Sequence, residues 1–364
     1  MKFFKLLLFA VILLTMCGLV SAQDGDDVIR VDTQLIDVPI QVKDKAGKPL
    51  TDLSKRNFII YEDGDPQEIE DFSAVAAPFE VAILLDTSGS TRSDLQLIRR
   101  SALNFIESLR AGDRVAIISF RTERNETEAY AVPEIINELT DDREVLKAAV
   151  EKVGTSNSTP YYDALIKTVE TVFRDKPEPQ FRGRRALVAL TDGVDSASIS
   201  GFDESRELLS NAGIICYFIA VNTRDFFEEN LIGDCEFTMR FSQAQIRRYY
   251  RQFGNANIEK AASFCQLGDF ERLAVSKTLY EIAAREMSEL ARTSGGRIFP
   301  AGDLSDARNA FKNVAADIGT QYKLGYYSSN SANDGKYRKI KVELKGVPAG
   351  VQIRAREGYT APKK

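Results

Sequence analysis

Asp86, Ser88 and Ser90 stand at alternate positions in the run Asp86-Thr87-Ser88-Gly89-Ser90, directly after the apolar segment 81–85. Alternate residues of an extended chain point the same way, and the Ser-Gly-Ser end must then turn. One carboxylate and two hydroxyls are thereby brought around one point where a buried strand ends. Hard oxygens at close quarters suit a magnesium-like ion, which takes carboxylate, hydroxyl and water ligands. A serine nucleophile is the other chemistry such a run could serve. It would need a base, and the chain contains no histidine, which excludes His-dependent triads, His-ligated zinc and His general bases together. No spacing nominates a lysine in that role. Metal-assisted phosphoryl transfer generally wants a second carboxylate where Ser88 stands.

Two further positions belong to loops at which an open α/β sheet binds ligands, outside the carboxyl ends of its strands. Thr159 lies in Gly154-Thr155-Ser156-Asn157-Ser158-Thr159-Pro160, just before a helical pattern, and Asp192 follows the apolar run 186–191 within Leu190-Thr191-Asp192-Gly193. In the set Asp86, Ser88, Ser90, Thr159 and Asp192, all donors are oxygens and only two are charged.

With these elements the chain resembles the von Willebrand factor type A domain with its metal-ion-dependent adhesion site. The Asp-x-Ser-x-Ser run, the separate Thr and the separate Thr-Asp-Gly match residue for residue, and the resemblance covers about Phe79 to Gly319, interrupted by the insertion 222–275. The resemblance implies that Ser88, Ser90 and Thr159 ligate Mg²⁺ (or Mn²⁺) directly, while Asp86 and Asp192 act largely through water. Neutral hydroxyl ligands leave much of the ion's charge uncompensated, so an open position favours an Asp or Glu carboxylate from a protein partner. The expected function is a non-enzymatic, adhesion-type binding module. The alternatives are an envelope or assembly protein whose metal only stabilises the fold and, more remotely, a metal-dependent hydrolase. The flanks, Asn57-Phe58 through Tyr61-Glu62-Asp63-Gly64 and the closing Arg356-Glu357-Gly358-Tyr359, resemble secreted bacterial relatives of this family.

The elements that must position these residues follow from periodicity. Segments 81–86, 114–120, 185–191 and 214–221 are short apolar runs of the length of strands buried on both faces. Between them, Leu95, Ile98, Ala102, Phe105, Ile106 and Leu109 repeat at helical spacing, and 141–153, 160–173 and 203–211 give three more helices. This alternation predicts an α/β domain with a doubly wound, mostly parallel sheet. The rhythm breaks over 222–275, which contains a helix around 242–253. It resumes with a helical face on Leu279, Ile282, Ala283, Met287 and Leu290, a short strand 297–299, and a last helix that Ser305 can cap. At the two ends the period is 2: Val38, Ile40 and Val42 alternate near one terminus, and Ile340, Val342 and Leu344 near the other. Asn333-Asp334-Gly335 reads as a hairpin-type turn. Both ends are expected to fold together as one β-sandwich. The domain boundaries are therefore 1–22, 23–77, 78–320 with the insertion 222–275, and 321–364.

Residues 1–22 carry Lys2 and Lys5 ahead of an apolar stretch and end in Val20-Ser21-Ala22. This pattern predicts a signal peptide cleaved before Gln23, a secreted or periplasmic location and no integral membrane span afterwards. An uncleaved anchor is the alternative. Cleavage removes two lysines and no acid, taking the formal charge from −5 to −7, which argues against nucleic acid as a partner. Of the remaining cysteines, Cys216 sits in a strand pattern, while Cys235 and Cys265 either pair in an oxidising compartment or stay as thiols. Arg182, Arg184 and Arg185, like Arg247, Arg248 and Arg251 in the insertion, read as solvated surface or local packing.

Overall fold

The computed structural model describes residues 35–75, 77–88, 95–181, 183–252, 263–302 and 306–363. The leader segment 1–22, Ser90, Arg182 and the expected cap Ser305 lie outside the described residues.

The chain first lays down β1 (Leu35–Lys43), β2 (Phe58–Glu62), β3 (Asp65–Gln67) and β4 (Asp71–Ser73). An α/β segment follows. It comprises β5 (Glu80–Leu85), α1 (Leu95–Ser108), β6 (Arg114–Arg124), β7 (Ala129–Thr140), α2 (Arg143–Lys152), α3 (Tyr161–Lys167), β8 (Arg185–Thr191), α4 (Phe202–Asn211) and β9 (Ile215–Val221). It continues through α5 (Arg224–Glu229), α6 (Gln243–Arg251), α7 (Asp269–Ser294), β10 (Arg297–Ala301) and α8 (Ala307–Ile318). The chain then returns to β structure with β11 (Gln321–Tyr327), β12 (Tyr337–Leu344), β13 (Gln352–Ala355) and β14 (Gly358–Thr360).

The central sheet has six strands in the order β10-β9-β8-β5-β6-β7. All pair in parallel except β7, which runs antiparallel to β6 at the edge. β5 and β8 are buried at every position, because helices cover both faces and leave no side for polar residues. On one face α1, α2 and α8 contribute Ile98, Phe105, Leu146, Val150, Phe311 and Val314. On the other, α3, α4 and α7 contribute Tyr161, Leu165, Leu209, Met287 and Leu290. Mostly parallel doubly wound architecture is thus what the apolar runs encode.

β7 is the strand of the central sheet that the pattern did not reveal. It is an edge strand, exposed or half-buried along most of its length, and it carries Pro133 and the acids Glu134 and Glu138, so alternation is weak. Helix α7 also begins earlier than its Leu279 face suggests, at Asp269. Its first turns bury Arg272 and Val275, the latter in a separate cluster with Leu231, Phe241, Ile246 and Phe264, so the apolar stripe changes partner partway along the helix.

The terminal strands interleave across the sequence. One sheet has the order β13-β1-β11-β4 and the other β14-β12-β2-β3. Ile36, Val38, Ile40 and Val42 meet Phe58, Ile60, Tyr322, Leu324 and Ile340 between them. The turn at Asn333–Gly335 does not make a hairpin: β11 and β12 lie in different sheets, and Gly335, at φ +68°, turns the chain between them. The outer face of β1 meets the α/β layer, where Gln41 donates to Thr320 Oγ1 at 2.9 Å and Arg354 donates to Asp317.

The chain crosses between the two parts at 74–79 and 318–321, and Arg184 holds both crossings. Its guanidinium donates to the carbonyl oxygens of Val75 at 3.1 Å, of Ala77, and of Gln321 at 2.9 Å, and lies 4.1 Å from the Phe79 ring centroid. Burial lowers its pKa to about 9, so it stays charged at neutral pH. Among the described residues, no helix is long and apolar enough to cross a membrane. Arg184→Ala should lower unfolding stability by about 1–3 kcal/mol in urea denaturation through the carbonyls it leaves unsatisfied, and Lys should rescue little, because its ammonium lacks the planar fork.

Candidate functional site

β5 and β8 are adjacent and in register, with Leu85 beside Leu190, so they end together. Asp86 and Asp192 are the first and second residues past those partners. From here the chain leaves β5 towards β6 on one side and β8 towards β9 on the other. Such a reversal of strand order opens a crevice at the carboxyl ends.

Backbone and hydroxyl groups fix both carboxylates. The Asp86 amide donates to Leu190 O at 3.0 Å, the Thr191 hydroxyl to Asp86 Oδ2 at 2.8 Å, and the Ser88 amide to Asp86 Oδ1 at 3.2 Å. The Val194 amide donates to Asp192 Oδ1 at 2.9 Å, and the Thr223 hydroxyl donates to Asp192 Oδ2. Gly193 has φ +74°, a left-handed conformation that favours glycine, so the Asp-Gly pair meets the demand of the turn. Burial raises the pKa of Asp86, and burial followed by the Asp86 charge raises that of Asp192.

The loop bearing Thr159 is tied to the same place. The Ser156 amide donates to Thr87 O at 3.1 Å, the Thr159 amide to Ser196 Oγ at 2.8 Å, and the Ser196 amide to Thr159 O at 3.0 Å. Ser88, Thr159 and Asp192 line one cavity of about 290 Å³, with buried Asp86 joined to it through Thr191 and Ser88. Four of the five expected site residues therefore converge; Ser90, the fifth, is not among the described residues. Among the described residues no group of three or more Cys, Asp and Glu is placed to hold a metal, so a cation here would rely on hydroxyls beside two carboxylates.

The insertion walls this cavity, which its composition alone did not reveal. Phe227, Met239, Arg240, Phe241, Ser242 and Gln245 line it together with Tyr280 of α7. Thr223 and Tyr280 hydroxyls lie 2.8 Å apart, so the chain entering the insertion and α7 both support Asp192. Arg248 of α6 donates to Glu286 at 2.6 Å, and Glu286 accepts the hydroxyl of Tyr162, three residues after Thr159 in sequence, at 2.6 Å. Cys235 and Cys265 form a disulfide with Cα atoms 5.3 Å apart, while Cys216 is a buried free thiol. Thr223, Tyr280 and Arg248 could not be found from sequence, since each acts through a partner distant in the chain.

Residues 81–194 match the family model of the von Willebrand factor type A domain. The chain thus carries a von Willebrand factor type A domain, a class whose members are commonly non-enzymatic protein-interaction modules. Among solved structures, the conserved hypothetical protein BatB from Bacteroides thetaiotaomicron is 17% identical, covering 66% of this chain and 98% of that one, with a TM-score of 0.40. A von Willebrand factor type A protein from Catenulispora acidiphila is 11% identical, covering 91% and 74%, at 0.42. Proximal thread matrix protein 1 from the mussel byssus, with a zinc-occupied MIDAS motif, is 13% identical at 0.40; the match covers 70% of this chain and 49% of that protein. No curated protein matches the chain.

The disulfide closes a loop of 30 residues in sequence that includes Phe241, Ile246 and Phe264 of the insertion's apolar cluster. Replacing both cysteines with serine should cost about 3.5–4 kcal/mol in chemical denaturation, on the chain-entropy scale for a loop of this size.

Proposed function

We propose that the chain is a divalent-metal-dependent protein-binding module acting outside the cytoplasm. Ser88, Ser90 and Thr159 would ligate Mg²⁺ (or Mn²⁺), Asp86 and Asp192 would act largely through water, and a partner's Asp or Glu would complete the shell. The observation that carries this reading is the convergence of Asp86 and Asp192 at neighbouring strand ends beside Ser88 and Thr159, in a cavity that a ligand can enter. The donors fit the ion. All are hard oxygens, and the two raised carboxyls mark a place where negative charge is costly until a cation meets it. Ser90 joins the set by its spacing in the motif. An extracytoplasmic setting is supported by the leader pattern of 1–22 and by the Cys235–Cys265 disulfide, since such bonds persist in oxidising compartments.

Isothermal titration with Mg²⁺ and with Mn²⁺ should show one site on the wild type and none on Asp86→Ala; equal binding by both proteins would overturn the assignment. Thr223→Val removes the hydroxyl that donates to Asp192. It should weaken Mg²⁺ binding by about tenfold or more, the usual effect of losing a group that orients a ligand, with the melting temperature of the metal-free protein serving as the control for folding.

A further inference from the structure

The cavity has two chemistries, and only one of them is explained by an ion. Beside Ser88, Thr159 and Asp192 its lining includes Phe227, Met239, Phe241 and Tyr280. The Phe227 ring packs 5.4 Å from that of Phe241 and 6.5 Å from that of Tyr280. At about 290 Å³ the space reaches the lower end of small-ligand pockets, roughly 300–1,000 Å³. This is more room than a cation and one carboxylate fill.

The apolar side of the cavity is built rather than accidental. Phe241 is buried in the insertion's cluster with Leu231, Ile246, Phe264 and Leu279, and the Met239 amide donates to Asn230 O at 2.7 Å. A wall fixed in this way binds without first having to be ordered. Phe226, Ile232, Phe237 and Phe270 of the same insertion are exposed, the last two at 87% and 92%.

We propose that the insertion reads the residue next to the partner's acid: the site takes an Asp or Glu carboxylate together with a bulky apolar side chain beside it. The carboxylate goes to the oxygen-donor end and the apolar group lies against Phe227, Met239 and Phe241. This rests on the metal-binding reading above. The preferred partner is therefore a protein segment in which an acid adjoins an aromatic or large aliphatic residue, and an acid in a purely polar segment is a poor ligand.

The test uses the full chain, first titrated with Mg²⁺ alone, then saturated with Mg²⁺ and titrated with acetate and with 3-phenylpropanoate by NMR. The phenyl compound should bind about tenfold or more tightly than acetate, the scale set by burying one large apolar group, and binding should vanish in chelator. Met239→Ser should bring the two affinities together. Equal affinities on Mg²⁺-loaded wild type would overturn the apolar subsite while leaving the metal site standing. Undiminished 3-phenylpropanoate binding in chelator would overturn the pairing of the two chemistries, and failure to bind Mg²⁺ in the first titration would remove both readings.

Discussion

Two carboxylates at the neighbouring ends of two parallel strands, Asp86 buried and Asp192 half-buried, are the constraint around which this structure is arranged. Like charges in a poorly solvated place cost free energy until a cation meets them; burial raises the pKa of both Asp86 and Asp192, and the Asp86 charge raises that of Asp192 further. The protein meets that cost with fixed donors. Thr191 and the Ser88 amide hold Asp86, while Thr223 and the Val194 amide hold Asp192. The strands themselves cannot shift to relieve the pair, because every position of β5 and β8 is buried between two helical layers. A rigid frame and a concentrated negative charge are what a cation site needs from its protein.

The same frame explains the molecule's outer parts. The terminal sandwich does not stand apart from the α/β layer, since Arg184 gathers carbonyls from both chain crossings and Gln41 reaches α8. The insertion is fastened to the site by two independent means, the Thr223–Tyr280 contact behind Asp192 and the Arg248–Glu286–Tyr162 chain beside the Thr159 loop, and a disulfide cross-links it internally. A loop held so firmly against a candidate ligand site serves recognition better than a free one.

Much of this was legible in the amino-acid order. Buried parallel strands announce themselves as unbroken apolar runs, and the oxygen-bearing residues stand at their ends, so sheet class and site neighbourhood could both be read directly. What escaped notice shares one physical cause. β7 owes its place to pairing at an exposed edge, the early turns of α7 to a cluster formed with Leu231 and Phe264, and the turn at Gly335 to strands that each found partners in different sheets. Thr223, Tyr280 and Arg184 likewise take their roles from groups dozens to more than a hundred residues away. Local pattern encodes local geometry; it carries no record of which distant surface a segment will meet.

The central claim is that Asp86, Ser88, Thr159 and Asp192 surround a divalent cation. Anomalous diffraction from crystals grown with Mn²⁺ tests it most directly. The account predicts one strong peak in the cavity between the Ser88 and Thr159 hydroxyls, on the side of the two aspartates. A peak elsewhere, or none in that cavity at saturating Mn²⁺, would contradict it.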